Sequence, residues 1–247
     1  MNTMEKVYGK SSTFFDGPTP YCAGCYHGLI QKCCIEVVDE LNLRERFVYG
    51  GAVGCNGMGA FIIDADAWGS CHGRAPCVAT AFKRLHPDCC LLVYQGDGDA
   101  CSIGLGDTLH AANRGEAFTV VMGNNSIYGM TGGQASPTTP TGMRTTTSRD
   151  GNTGYPMRLA EMIATLDAPA LVARCSVHDP KHIMEFKKLL KKALQLQMEK
   201  GAYSYIEVLG ICPTGSHINP ADSAKVIEEQ MIPVFPLGVF KDISDRL

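Results

Sequence analysis

Two apolar segments that each end abruptly in small polar residues, one helix apart, constrain this chain more than any other feature. Leu91-Leu92-Val93-Tyr94-Gln95 runs into Gly96-Asp97-Gly98-Asp99, and Phe118-Thr119-Val120-Val121-Met122 runs into Gly123-Asn124-Asn125. Between them, residues 102–114 carry helical patterning, so the unit reads strand–helix–strand with both polar tips at one edge. In a parallel α/β sheet that edge, at the carboxyl ends of the strands, is where ligands bind. Asp97 and Asn125 bring oxygen-bearing side chains there, beside a glycine turn through which backbone can approach a phosphate. The pattern suits a hard cation such as Mg2+ holding a diphosphate. Gly-Asp and Asn-Asn turns are ordinary loop chemistry when met singly. Their joint placement at two strand ends carries the weight.

The rest of the chain alternates in the same way, with no internal repeat and no low-complexity tract. Helical periodicity covers 27–41, with apolar positions at Leu29, Ile30, Cys33, Cys34, Val37, Val38 and Leu41. A strand over 47–54 runs into a glycine-rich turn, and a small-residue helix over 76–85 follows the His72-Gly73-Arg74 turn. Further helices are expected near 156–166, 180–199 and 221–230, with strands at 171–177 and 204–209. This alternation implies an α/β fold, a parallel sheet flanked by helices on both faces. Residues 128–155, rich in Gly, Thr, Ser and Pro, break the rhythm. A long aperiodic stretch in a compact domain is usually a binding loop, a lid or disorder. Because it starts just after the second polar tip, it is expected to be an ordered loop wrapping a cofactor or substrate. Residues 1–247 fit one domain, as expected for this length. A net charge of −3 without a basic run argues against nucleic acid, which wants a basic face. Residues 1–6 lack the apolar core of a signal peptide, and no stretch is long enough to span a membrane; a cytoplasmic chain is expected.

The paired tips resemble the thiamine diphosphate motif, GDG followed about twenty-five residues later by NN. The resemblance implies the diphosphate-binding domain of that fold, with Mg2+ held by Asp97, Asn125 and the backbone carbonyl of Ile127. Twelve cysteines are many for a cytosolic chain, where disulfides are disfavoured. Cys33, Cys34, Cys89, Cys90 and Cys175 lie in expected helices or strands and read as buried small hydrophobes. Cys22-Ala23-Gly24-Cys25 is a CxxC, open between zinc, a redox dithiol and an iron–sulfur site. Cys55 and Cys212 each follow a strand at the same kind of turn. Four thiolates from three loops suit Zn2+ or a [4Fe-4S] cluster, and an electron-rich thiamine intermediate beside a redox cluster favours the cluster. Cys71, Cys77 or Cys101 offer alternatives to Cys55.

A closer resemblance rests on several stretches together. Tyr21-Cys22-Ala23-Gly24-Cys25-Tyr26-His27-Gly28, His72-Gly73-Arg74-Ala75-Pro76, Gly96-Asp97-Gly98-Asp99, Asn124-Asn125-Ser126-Ile127-Tyr128-Gly129-Met130-Thr131-Gly132-Gly133-Gln134, Ser136-Pro137-Thr138-Thr139 and Cys212-Pro213-Thr214 look like the β subunit of 2-oxoacid:ferredoxin oxidoreductases. The 2-oxoisovalerate and 2-oxoglutarate branches are the most similar. The resemblance implies thiamine diphosphate, Mg2+ and one [4Fe-4S] cluster on Cys22, Cys25, Cys55 and Cys212. It also implies cofactor contacts from Cys55, Asn56, His72, Gly96, Asp97, Gly98, Asp99, Asn125, Ile127, Tyr128, Gly129, Met130 and Thr131. His72 and Arg74 would act beside the diphosphate or the reacting carboxylate, with Asp99 orienting the phosphate loop. Two departures stand out: Tyr26 where relatives often have Gly, and Thr214-Gly215-Ser216-His217 where the closest branch carries a Trp.

The implied reaction is CoA-dependent oxidative decarboxylation of a 2-oxoacid to an acyl-CoA and CO2, with electrons passing to ferredoxin. 2-Oxoisovalerate is favoured over 2-oxoglutarate, for which Arg74, Arg144 and Arg149 are the available cations. The pyrimidine-side carboxylate is expected from a partner α subunit, accompanied by γ and ferredoxin-like δ subunits. A non-oxidative thiamine decarboxylase subunit would need the two tips but not the cysteines, and a non-catalytic metal- or cluster-binding subunit would not need Asp97 and Asn125. His86, His110, His178, His182 and His217 show no pairing in the sequence and read as structural or exposed.

Overall fold

The structure, a computed structural model, describes residues 9–247; the reading of residues 1–6 lies outside the described residues. In chain order the elements are α1 (Tyr26–Glu40), β1 (Phe47–Ala52), β2 (Asp66–Ser70), α2 (Ala75–Leu85), β3 (Cys90–Gly96), α3 (Leu105–Asn113) and β4 (Thr119–Asn124). A short ribbon, β5 (Ile127–Tyr128) and β6 (Gln134–Ala135), precedes α4 (Leu159–Ala164), β7 (Leu171–Ser176), α5 (Pro180–Lys200) and β8 (Ser204–Leu209). The chain closes with α6 (Pro213–Ser216), α7 (Ser223–Val226) and β9 (Gly238–Asp242).

One seven-stranded sheet, in the order β2-β1-β3-β4-β8-β7-β9, organises the molecule. β1, β4, β7 and β8 are buried at every position, which is why they read as continuous apolar runs rather than alternating ones. On one face α1 and α5 cover the sheet through Ile30, Val37, Val38, Leu190 and Leu194. On the other, Ala79 of α2, Ala111 and Ala112 of α3, and Leu159 and Ile163 of α4 do the same. Each fully buried Leu, Ile or Phe contributes roughly 1.5–3 kcal/mol relative to exposure. α5 is bounded as its sequence dictates. Asp179 caps it by accepting from the His182 amide, Pro180 follows, and Gly201 ends it at φ 63°, a conformation in which glycine lacks the usual Cβ penalty.

Several expectations need correction. The sheet is not wholly parallel, because β9 runs antiparallel along β7. The edge strand β2 escapes sequence reading since Asp-Ala-Trp-Gly-Ser is mostly exposed and carries no apolar period. The helix expected over 102–114 opens with a wider turn at Asp99–Ile103, and α3 itself is Leu105–Asn113. The helix expected over 221–230 is broken into a tight turn, α7 and a wide turn at Ile227–Met231. Residues 128–155 are ordered into the β5–β6 ribbon and a series of turns, with Ser136, Thr138, Thr139 and Thr145 buried. Cys33, Cys34, Cys90 and Cys175 are buried as expected, while Cys89 is half-buried.

Candidate active site at the carboxyl edge of the sheet

Parallel pairing places the polar tips at one height: Gly96 stands opposite Gly123, and Asn124 opposite Leu209. Between them lies a cavity of about 260 Å³. Cys55, Asn56, His72, Gly96, Asp97, Gly98, Asp99, Asn125, Ile127, Tyr128, Gly129, Met130 and Thr131 all line it, joined by His27, Val53 and Gly54. The two glycines of the first tip have different reasons. A Cβ on Gly98 would fall 2.1 Å from Cε1 of Tyr128, so the tyrosine ring requires glycine there. A Cβ on Gly96 would meet nothing closer than Asn56 Oδ1 at 3.7 Å. Protein packing does not require that glycine; it leaves cavity space free for a ligand.

Asp97 is 2 % exposed. Its Oδ2 accepts hydrogen bonds from Ser136 Oγ and Thr138 Oγ1, each at 2.5 Å. Burial pushes its pKa above the ordinary carboxylate range while these hydroxyls pull it down. A nearby cation would favour the ionised form further. Asn125 is aimed from behind: its Nδ2 donates to His27 Nε2 at 3.2 Å, and its Oδ1 accepts from the Ile127 amide at 3.3 Å. With Nε2 accepting, neutral His27 carries its proton on Nδ1 and donates it to Tyr94 Oη at 2.7 Å. Burial lowers the His27 pKa to about 4, which keeps it neutral. A Cβ on Gly123 would lie 2.8 Å from Tyr94 Oη and 3.0 Å from the His27 ring, so this glycine makes room for the pair.

The two asparagines do different work. Asn124 Nδ2 donates to Glu207 Oε1 at 2.7 Å, and its Oδ1 accepts from the Ser126 amide at 3.2 Å. Glu207 faces Arg174 across the β7–β8 register, with Arg174 Nε 2.9 Å from Glu207 Oε2. Arg174 also binds Glu161 at 2.5 Å and packs between the rings of Phe235 and Phe240. Thus Asn124 anchors the turn to the core and Asn125 presents itself to the cavity. Ser126 between them and Ile127 sits at φ 62°, an uncommon conformation for a non-glycine residue.

Asp99 serves the neighbouring turn. Its Oδ1 accepts from the Gly73 amide and lies 3.2 Å from His72 Nδ1, while Oδ2 accepts from Gln95 at 3.3 Å and Asn56 at 3.4 Å. His72 Nδ1 also faces the Val53 carbonyl at 2.9 Å, leaving Nε2 as its free nitrogen. The Asp99 hydrogen bond raises the His72 pKa above its ordinary value. Arg74 does not join it. The Gly73 turn, at φ 79°, sends Arg74 outward to pair with Asp107 at 2.9 Å, and it lines no part of the cavity. Its expected role at the reacting carboxylate is therefore corrected. Arg144 and Arg149 are likewise exposed and outside the lining.

Cys55 lines this cavity and Cys212 lies against its wall at Gly129, while Cys22 and Cys25 line a neighbouring cleft. The Cys25 amide donates to the Cys22 carbonyl at 3.0 Å and Cys25 opens α1; Cys212 caps α6 by accepting from the Gly215 amide at 3.4 Å. A Cβ on Gly129 would sit 3.1 Å from Cys212 Sγ and 3.8 Å from Cys55 Sγ, so both sulfurs crowd one point on the cavity wall. Burial, and then the charges of Cys212, Cys55 and Cys22, push Cys25 up to about 12. Burial followed by Cys212 and Cys22 raises Cys55 likewise. Four thiolates on one zinc would lie about 3.8 Å apart by tetrahedral geometry. Among the described residues, no three of these sulfurs come within 4.8 Å of one another. The alternatives to Cys55 lie elsewhere: Cys77 is exposed beside Asp107 and Arg74, Cys71 is exposed, and Cys101 packs 3.8 Å from Met122 Sδ. Tyr26 packs against Gly210 of the turn leading to Cys212.

Sequence reading missed His27, Ser136 and Thr138 as members of the site. His27 sits on the buried face of α1 with Ile30, Gln31 and Cys34, a signal visible in the helical period. Ser136 and Thr138 lie in an aperiodic loop, and nothing local joins them to Asp97. His178 and His182, expected to be unpaired, instead form a cluster with Asp179.

Residues 52–208 match the family model for the thiamine pyrophosphate enzyme, C-terminal TPP binding domain. Ketoisovalerate oxidoreductase subunit VorA of Methanothermobacter thermautotrophicus is 41% identical over 247 residues, covering 98% of this chain and 52% of its own. 2-Oxoglutarate synthase subunit KorB of Archaeoglobus fulgidus is 37% identical over 212 residues, covering 86% of this chain and 76% of its own. The chain thus spans about half the length of the VorA relatives it matches. A solved structure of 2-oxoglutarate:ferredoxin oxidoreductase from Magnetococcus marinus, with 2-oxoglutarate, coenzyme A and succinyl-CoA bound, superposes with a TM-score of 0.82 at 27% identity. That match covers 97% of this chain and 86% of the other.

Proposed function

The chain belongs to the 2-oxoacid:ferredoxin oxidoreductases, as a thiamine diphosphate-binding subunit, and from that premise we propose that it carries out CoA-dependent oxidative decarboxylation of a 2-oxoacid together with partner subunits. In this reading Gly96, Gly98 and His72, which line the cavity, would hold the diphosphate. Asp97, Asn125 and the Ile127 carbonyl hold Mg2+, and Cys22, Cys25, Cys55 and Cys212 hold a [4Fe-4S] cluster. When bound, thiamine diphosphate supplies the electron sink for loss of CO2, and the cluster accepts the released electrons singly for ferredoxin.

The observation that carries the proposal is the shared wall. Cys55 and Gly129 line the cofactor cavity, and the Cys212 sulfur lies against Gly129 beside that of Cys55. A site for electron removal therefore borders the site where the electrons are released. The spacing of the sulfurs supports a cluster, which distributes its thiolates over four irons, better than one zinc ion.

The chain's own residues have distinct tasks. Ser136 and Thr138 fix Asp97, whose charge a divalent cation would stabilise. His27 fixes the Asn125 amide. Asp99 holds His72 with Nδ1 occupied, so Nε2 is left to donate a hydrogen bond or a proton toward an anionic group in the cavity. Asn56, Tyr128, Met130 and Thr131 form the walls. Among the described residues no Arg or Lys lines the cavity, whereas Val53, Ile127 and Met130 do. That favours a branched-chain 2-oxoacid such as 2-oxoisovalerate over 2-oxoglutarate, whose second carboxylate needs a cation.

Asp97 and Asp99 are the only carboxylates lining the cavity among the described residues, and both are engaged within the chain. The pyrimidine-side carboxylate is accordingly assigned to an α subunit, with γ and ferredoxin-like δ subunits completing a cytoplasmic enzyme. No helix among the described residues is long and apolar enough to cross a membrane. The test is anaerobic co-purification with the partner subunits, followed by iron, sulfide and thiamine analysis and a 2-oxoacid panel with CoA and a viologen acceptor. About four irons in this subunit when purified alone under anaerobic conditions, fastest turnover of the complex with branched-chain substrates and no turnover by the isolated chain are expected. Full turnover without iron, or by the isolated chain, would refute the reading.

A further inference from the structure

A second group of metal-ligating side chains lies outside the cavity, at the carboxyl end of β7. His178, Asp179 and His182 each offer a ligand atom within 4.8 Å of the others. His178 Nε2 lies 3.5 Å from Asp179 Oδ2, and His182 Nδ1 lies 2.8 Å from the same oxygen. The two imidazoles stand ring against ring, centroids 4.3 Å apart and tilted by 31°. Helix capping explains only part of this. Asp179 Oδ1 accepts from the His182 amide and completes the cap, which leaves Oδ2 as the point where both rings meet.

His178 has the support expected of a ligand. Its Nδ1 is 2.9 Å from Ser176 Oγ, so Nε2 is the nitrogen directed at the cluster. In metal sites the remote imidazole nitrogen usually has such a polar partner, which fixes ring and tautomer. The His178 side chain is only 4 % exposed, so the ring is held by packing as well. The charge of Glu228, in the wide turn Ile227–Met231, is felt at His178 at longer range. Two imidazoles beside one carboxylate are the donor set of a borderline divalent ion, whose charge Asp179 partly offsets.

We propose that His178, Asp179 and His182 bind a Zn2+-type divalent transition ion at the β7–α5 junction. On binding, the ion replaces the proton between His182 Nδ1 and Asp179 Oδ2, and that proton moves to His182 Nε2. Imidazole ligation selects Zn2+ over Mg2+ or Ca2+.

The test uses the full chain with its iron–sulfur cluster reconstituted, so that the four cysteines are occupied, freed of loose metal with a chelator and then dialysed against Zn2+. About one zinc per chain is expected, with nitrogen and oxygen neighbours at about 2.0–2.1 Å by zinc-edge X-ray absorption and a melting temperature that rises with Zn2+. The His178→Ala/His182→Ala variant should lose both effects. Asp179→Asn keeps an effective helix cap, so its zinc-free melting temperature should be unchanged while zinc affinity falls at least tenfold. Zinc bound only to sulfur at about 2.3 Å, no zinc in the wild type, or undiminished affinity in Asp179→Asn would overturn the proposal.

Discussion

Replacing Arg174 with Met removes the cation shared by Glu207 of β8 and Glu161 of α4. Methionine keeps the length and apolar stem, so packing against Phe235 and Phe240 survives and the charge is what is lost. The Arg174 side chain is 0 % exposed and that of Glu207 is 1 % exposed. Removing one partner of a pair buried this deeply costs about 3–5 kcal/mol, because the other charge is left unpaired. Glu161, at 33 % exposure, can return to water and adds little. At about 2–4 °C per kcal/mol for a chain of this size, melting should fall by roughly 6–20 °C. The assay is urea unfolding followed by circular dichroism at pH 7 and pH 5. Burial already raises the Glu207 pKa, and without Arg174 it rises further. The folded variant then takes up a proton more readily than the unfolded chain, so its deficit should shrink as pH falls. Arg174→Met/Glu207→Gln, which retains an oxygen acceptor for Asn124, should recover most of the loss. A deficit below about 1 kcal/mol, or one independent of pH, would refute the reasoning.

Gly129→Ala should lower cluster iron several-fold while leaving thiamine diphosphate binding largely intact, since its Cβ would meet Cys212 Sγ at 3.1 Å; parallel iron and thiamine assays check this. Ser136→Ala/Thr138→Val removes both hydroxyls from Asp97 and should weaken Mg2+-dependent cofactor binding by about 2 kcal/mol or more, at 1.5–3 kcal/mol per hydrogen bond to a charged group, as read by calorimetry. His27 resists protonation down to about pH 4 against an ordinary value of 6.5. The unfolded chain therefore binds more protons in that window, and wild-type stability should fall by about 3 kcal/mol from this group as pH is lowered through it. His27→Gln should lack this component in urea titrations across the same pH range.

Most of the scaffold was legible because its strands are buried on both faces and its helices have one apolar stripe. The sequence missed β2 and β9, which lie at the sheet edges where exposure erases the apolar signal. Resemblance of the His72-Gly73-Arg74 turn to the family's cofactor-proximal turn also assigned Arg74 to the site along with His72. The backbone turn at Gly73 separates the two, and no property of the residues themselves reveals which way each side chain leaves that turn.

Local order determined the chemistry on offer: glycines and a carboxylate after β3, paired amides after β4, and cysteines after β1 and β8. These follow from short-range rules, because each tip is the immediate end of its own strand. Tertiary structure decided how the pieces cooperate. It brought Ser136 and Thr138 onto Asp97 across a loop, and His27 onto Asn125 from the first helix. It set the Cys55 and Cys212 sulfurs together against Gly129 and buried Arg174 beneath the Asn124 anchor. Such contacts join residues far apart in sequence and depend on strand order and register, which periodicity along a single segment cannot encode.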